Sequence, residues 1–169
     1  MLSGKSSPHF YPEGEQISLI DITMNEEDEP VLAGRNDLFF YKPEADKFAR
    51  IPILTEKEKE NPINLTKLCL VPDWGILVGT DRAGLKFYDR HNRKTETVIP
   101  DIQVRDIKQC SENTYWIASE SGVYILNMAD RSITHLQKSL TNEYTISDNA
   151  AYSITKDREG GIWVTTFFG

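Results

Sequence analysis

Apolar and polar residues alternate with a period of two through most of the chain. Short runs such as Val-x-Ile and Leu-x-Phe, rich in Val, Ile, Thr and aromatics, are broken every few residues by Asp, Asn, Gly and Pro. Alternation of this kind predicts half-buried strands, and the breakers predict tight turns between them. Helix is poorly supported. The one helix-like stretch, Thr55 to Glu60, is short, charged throughout and followed by Asn61-Pro62, so it reads as an exposed connection.

The strands recur as a unit. Val31-Leu32-Ala33-Gly34 leads through Asn36-Asp37 to Leu38-Phe39-Phe40-Tyr41. Ile76-Leu77-Val78-Gly79-Thr80 leads through Gly84 to Leu85-Lys86-Phe87-Tyr88-Asp89, and Tyr115-Trp116-Ile117-Ala118-Ser119 leads through Gly122 to Val123-Tyr124-Ile125-Leu126-Asn127. A fourth copy, Ile162-Trp163-Val164-Thr165-Thr166, leads to Phe167-Phe168-Gly169. With Leu32, Leu77, Trp116 and Trp163 as anchors, the spacings are 45, 39 and 47 residues. An apolar strand and a polar turn precede each anchor, and a weaker outer strand follows the aromatic one. A period in the low forties with four short strands per unit predicts a β-propeller blade. The expected architecture is an all-β propeller fragment of about three and a half four-stranded antiparallel blades: 17–62, 63–101, 102–145 and the first half of another at 146–169. Residues 1–16 are left as a segment that would supply the outer strand of a preceding blade. Three and a half blades do not close a ring, so the open ends should expose apolar inter-blade faces.

Position within the blade assigns most side chains to packing. Trp116 and Trp163 should face a neighbouring blade and fill the wedge between sheets, as should Leu85, Phe87, Val123 and Ile125. The acidic cluster Glu26 to Glu29 and the run Asp157-x-x-Gly160-Gly161 lack the alternating oxygen ligands and distal bidentate Glu of a calcium loop, and read as hairpin turns.

Composition narrows the function. The 169 residues carry a net charge of −7, which argues against nucleic acid, and no basic amphipathic stripe suggests a membrane surface. Cys69 and Cys110 read as buried free thiols, with a bridge between neighbouring strands as the alternative. The first residues do not form a signal peptide, and no apolar run reaches membrane-spanning length. His9, His91 and His135 fall in the N-terminal segment, a polar turn and an outer strand, with no Gly-x-Ser-x-Gly elbow and no Gly-rich phosphate loop. No catalytic set, metal site or cofactor is expected. Asn64-Leu65-Thr66 is a formal glycosylation sequon.

The turns between second and third strands, with the connections between blades, should share one end of the stack, here called the upper face. They collect Arg35, Asp37, Arg82, Glu120, Tyr144, Phe167 and Phe168, a mixture of guanidinium, carboxylate and ring suited to a polyhydroxylated ligand. These seven are the candidate ligand-binding residues.

Residues 146–169, with Asp157-Arg158-Glu159-Gly160 before the Trp163 strand, resemble the two-component-regulator propeller repeat, in which an Asp-x-x-Gly turn precedes a Trp-containing strand ending in Gly-Thr. The likeness is good over 65–89 and looser over 17–41 and 104–127. Thr165 stands where the repeat usually has Gly, Ala118-Ser119 replaces Gly-Thr, and Gly34-Arg35 loses the Thr. The resemblance implies the periplasmic sensor region of a Bacteroides-type hybrid two-component system, membrane-anchored through its parent receptor and dimeric there. It further implies an oligosaccharide ligand, neighbouring blades completing the propeller, and kinase chemistry elsewhere in the parent. Two other classes are weighed: a propeller enzyme of the polysaccharide lyase or lactonase type, and a protein-interaction propeller.

Overall fold

The computed structural model describes residues 18–142 and 145–169; segment 1–16 and Tyr144 lie outside the described residues. Within them the chain runs as successive antiparallel sheets in simple up-and-down order. The first sheet holds β1 (Asp21–Met24), β2 (Pro30–Ala33), β3 (Asp37–Lys42) and β4 (Lys47–Pro52). The second holds β5 (Leu65–Val71), β6 (Gly75–Thr80), β7 (Leu85–Asp89) and β8 (Lys94–Ile99). The third holds β9 (Val104–Gln109), β10 (Thr114–Ser119), β11 (Gly122–Asn127) and β12 (Ile133–Leu136). The fourth has two strands, β13 (Ala151–Lys156) and β14 (Ile162–Thr166). These four sheets, hereafter blades A to D, make the chain an all-β propeller fragment.

One expectation is corrected at the connection between blades A and B. Residues Glu56–Lys59 form a helical turn, α1, because Thr55 and Glu58 make a capping box. The Thr55 hydroxyl accepts from the Glu58 backbone N–H, and the Glu58 carboxylate accepts from the Thr55 backbone N–H at 2.8 Å. The Thr-x-x-Glu spacing is the signal for that cap and outweighs the weak apolar pattern.

Strand pairing defines which residues are equivalent in each blade. Leu77 pairs with Cys69 and Phe87, and Trp116 pairs with Lys108 and Ile125. In blade A the residue pairing with Thr23 and Phe40 is Val31, not Leu32. The anchor therefore shifts by one residue from the expected alignment. Two adjacent apolar residues leave the period-two pattern ambiguous, and only pairing resolves which side chain faces forward. The same shift places Ala33-Gly34, not Gly34-Arg35, opposite Gly79-Thr80.

The anchors bury the seams between blades. Val31 packs with Leu38, Leu65, Leu68 and Val78 between blades A and B. Leu77, fully buried, packs with Phe87, Val104, Ile107 and Ile117 between B and C. Trp116 lies against the cluster of Val123, Ala151 and Ile154 between C and D. Gly79 belongs to the same device. A Cβ there would come within 2.5 Å of Val104 Cγ1 and 2.8 Å of Thr66 Oγ1, so the missing side chain makes room for the next blade.

Trp163 is the exception among the anchors. It is 67% exposed on the forward face of blade D, because no sheet packs there among the described residues. Its indole N–H donates to Asp157 Oδ2 at 2.7 Å. Asp157 Oδ1 also accepts from the backbone N–H of Glu159 and of Gly161, which ties the hairpin turn. Asn25 closes the matching turn of blade A in the same way, accepting from the N–H of Glu27 and of Glu29. Both loops are thus hairpin turns, as their spacing predicted.

Polar bridges cross the seams at the start of the inner strands. Asp21, Lys67, Asp106 and Ser153 occupy equivalent register positions. Asp21 Oδ2 accepts from the Leu68 backbone N–H at 2.8 Å, and Asp106 Oδ2 accepts from the Ile154 N–H at 2.9 Å. Lys67 Nζ stands between them, 3.6 Å from Asp21 and 3.9 Å from Asp106.

Three outcomes are expected. Leu77→Ala should cost about 2–5 kcal/mol of unfolding free energy, whereas Trp163→Ala at the equivalent position should cost under about 1 kcal/mol. Equal costs in denaturant titrations would refute the seam assignment. Asp106→Ala should cost about 1–3 kcal/mol by leaving the Ile154 N–H unmet, with Asp106→Asn retaining part of the loss; a melting temperature unchanged in both would rule the bridge out as a stabilising contact. The indole and backbone donors hold the Asp157 carboxyl below its ordinary value of 3.8. Its contribution to stability is therefore present above that value and lost as pH falls through the lower folded value. The Trp163 indole proton should shift in NMR with a midpoint below 3.8; a midpoint at or above it would contradict the bond.

Candidate functional site

The turns from second to third strand lie side by side along the upper face and are held by one repeated hydroxyl. Thr80 Oγ1 donates to the Gly84 carbonyl and accepts from the Ala83 N–H, both at 2.8 Å. Ser119 Oγ donates to the Gly122 carbonyl at 2.8 Å and accepts from the Ser121 N–H at 3.1 Å. Thr166 Oγ1 donates to the Gly169 carbonyl at 2.6 Å. In blade A the equivalent residue is Gly34, and the turn closes through its backbone N–H on the Asp37 carbonyl at 2.9 Å. Thr80 and Ser119 are fully buried, so the Gly-Thr ending of the repeat is a turn clasp and not a ligand contact.

The candidate residues divide on this frame. Arg35 and Arg82 are exposed at the turn tips, and neither has an ion-pair partner among the described residues. Phe167 and Phe168 are 64% and 75% exposed and meet edge to face with centroids 4.8 Å apart. Glu120 is exposed, yet its Oε2 accepts from the Gln103 backbone N–H at 2.7 Å. Asp37 is buried, and Arg50 donates to its Oδ2 from Nη2 at 2.7 Å and from Nε at 3.0 Å. The structure thus brings Arg35, Arg82, Glu120, Phe167 and Phe168 onto one rim. Asp37 lies beneath it, and Tyr144 is outside the described residues.

Sequence reasoning missed two groups near this rim. Asp81, beside Arg82, braces the approach to β5: its carboxylate accepts from the Asn64 backbone N–H at 2.9 Å and from Asn64 Nδ2 at 2.8 Å. Just below lies the row Asp21, Lys67, Asp106 and Ser153. Its members share a position but not a residue type, so similarity between the repeats does not reveal it. Arg105 adds a stacked cation, its guanidinium 4.2 Å from the centre of the Tyr152 ring.

Other titratable groups are engaged structurally. His135 stacks on Tyr124 at 3.9 Å with Nε2 2.9 Å from the Ser121 carbonyl, and His91 Nε2 lies 2.5 Å from the Asp73 carbonyl. Cys69 and Cys110 are both free. Burial pushes the Cys69 thiol up to about 11 and raises that of Cys110, which suppresses thiolate chemistry at neutral pH. Among the described residues, no three His, Cys, Asp or Glu side chains gather as metal ligands, and no helix is long and apolar enough to cross a membrane.

Comparison with known proteins bears on the fold and on one repeat. No curated protein matches the chain. Two crystal structures of the extracellular domain of BT4673 from B. thetaiotaomicron, described once as a one-component and once as a hybrid two-component system, superpose with TM-scores of 0.74 and 0.75 at 16% identity. Each alignment covers 88% of this chain and 20% of the other, so the chain spans about a fifth of those domains. A chain of a mitotic checkpoint complex superposes with a TM-score of 0.56 at 12% identity, covering 95% of this chain and 52% of that one. At such identities the likeness establishes the propeller fold. The family model described as two-component regulator propeller matches residues 145–168. The matched stretch is blade D, with its Asp157 turn and Trp163 strand, which is thus similar to a two-component regulator propeller repeat.

Proposed function

We propose that this chain is part of the sensor region of a hybrid two-component system, and that its upper rim contributes to recognising an oligosaccharide. The match of residues 145–168 to the two-component regulator propeller carries this reading. The fold shared with the extracellular domains of BT4673 supports it. On this reading the chain is non-catalytic and works in the periplasm or at the cell exterior. The exposed forward face of blade D receives a further blade of the parent, and the parent receptor is a membrane-anchored dimer.

The rim has the chemistry for the ligand. Arg35 and Arg82 present exposed guanidinium groups, without an ion-pair partner among the described residues, that can donate to hydroxyl and ring oxygens, and Phe167 and Phe168 offer faces on which a sugar ring can stack. The hydroxyl clasps of blades B and D and the Gly34 backbone bond of blade A hold these groups on short turns, so little ordering entropy is lost on binding.

Isothermal titration of the receptor's whole extracellular region against a panel of plant and host oligosaccharides should identify a binder. Arg82→Ala, and Phe167→Ala with Phe168→Ala, should then weaken it about tenfold, or ~1.4 kcal/mol. If no oligosaccharide binds, the sensing assignment fails. If one binds and the variants match the parent, recognition lies on other blades.

A further inference from the structure

A groove of about 340 Å³ opens on the outer side of the seam between blades A and B, beside the connection that joins them. One wall is the chain from Ile51 to Thr55, which leaves β4 for α1; the floor is Lys86 and Tyr88 of β7; the far wall is Arg93, Thr95 and Thr97. Blade A supplies apolar surface and blade B supplies the polar groups.

The floor carries more polar capacity than the fold uses. Lys86 is only 2% exposed. Its Nζ donates to Glu58 Oε1 at 2.7 Å and to Thr97 Oγ1 at 3.1 Å, so one of its three protons has no partner among the described residues. Tyr88 is 5% exposed, and its hydroxyl, which is open to solvent, makes no hydrogen bond among the described residues. Burial raises the Tyr88 phenol above its ordinary value, with the Arg93 charge opposing that rise, so the hydroxyl stays protonated at neutral pH and Arg93 lies close enough to act on it.

Charge balance specifies what completes the groove. The Lys86 charge is met by Glu58, and Glu96 at the rim is met by Arg131 at 3.2 Å. Arg93 has no ion-pair partner among the described residues, which leaves one positive charge beside two unmet hydrogen-bond donors. In a chain of net charge −7, general attraction does not bring an anion here, so binding depends on these local groups.

We infer that this groove binds a small hydroxylated carboxylate of the sugar-acid class, its carboxylate on Arg93 and its hydroxyls on Tyr88, Thr95 and the free Lys86 proton. The groove shares no lining residue with the candidate rim residues, and the inference stands whether or not the rim binds an oligosaccharide.

The test uses the full 169-residue chain and sodium glucuronate as probe, followed by amide NMR. Millimolar glucuronate should move the resonances of Lys86, Tyr88, Arg93 and Thr95 saturably, while glucose and sulfate at the same concentration leave them in place. Arg93→Asn keeps a residue type that tolerates the φ of 57° found there and removes the charge; it should weaken binding at least tenfold. Tyr88→Phe removes only the hydroxyl and should weaken binding severalfold with the melting temperature held. Absence of saturable shifts in the groove, equal shifts with glucose or sulfate, or unchanged affinity in Arg93→Asn would each overturn the inference.

Discussion

A four-stranded sheet standing on edge has two faces, and neither is covered by the sheet's own strands. Each blade of this chain therefore depends on its neighbours, and the seam between blades is the interaction from which the rest follows. The forward-facing anchor of one blade, Val31, Leu77 or Trp116, fills the space against the inner strand of the next. Close approach is needed for that fit, and Gly79 shows how tightly the space is held. The seam also tolerates a cost. The Thr66 and Tyr115 hydroxyls are buried without a partner among the described residues, each a loss of about 1–3 kcal/mol that apolar burial of the surrounding cluster offsets.

The upper rim inherits its rigidity from the seams. In blades A to C each turn tip follows directly from a strand whose anchor packs in a seam, and in blades B to D a clasping hydroxyl bonds the carbonyl three or four residues on. Asp81 and Glu120 then tie two of these tips to the residue preceding the inner strand of the same blade. The carboxylates of the rim thus serve mainly to position the turns, and its exposed guanidinium groups and rings carry the capacity to meet another molecule. Charge at the rim does not translate directly into binding capacity, and Asp37, consumed by Arg50, makes the same point.

The repeat and the strand order were legible because alternation, aromatic third strands and Asp or Gly turns all recur at one period. Blade A resisted alignment by one residue, since Val31 and Leu32 are both apolar and pattern alone does not orient them. The α1 turn was hidden by its charge, although Thr55 and Glu58 stood at capping distance. Trp163 was assigned to packing from its position, which is correct for Trp116, but burial of an anchor requires the following sheet as well as the anchor. The row Asp21, Lys67, Asp106 and Ser153 had no common residue to reveal it. The outer groove lay further out of reach, because Ile51 and Arg93 meet only after the connection between blades has folded back.

That last juxtaposition bears on how a propeller fragment could transmit a signal. The sheets meet along their inner strands, where carboxylate bridges and buried anchors hold them together. On the outer side of the A–B seam, blade A supplies an apolar wall, blade B supplies the polar groups, and Lys86 with Glu58 ties α1 to β7. A ligand lodged there as proposed would touch both blades on the outer side of their seam. Its differential contacts act on the angle between blades more than on the structure of either. A ligand on the rim instead spans several turns that the clasps already hold rigid. On the proposed readings, the seams support one surface held by its turns, the rim, and another formed by two blades, the outer groove.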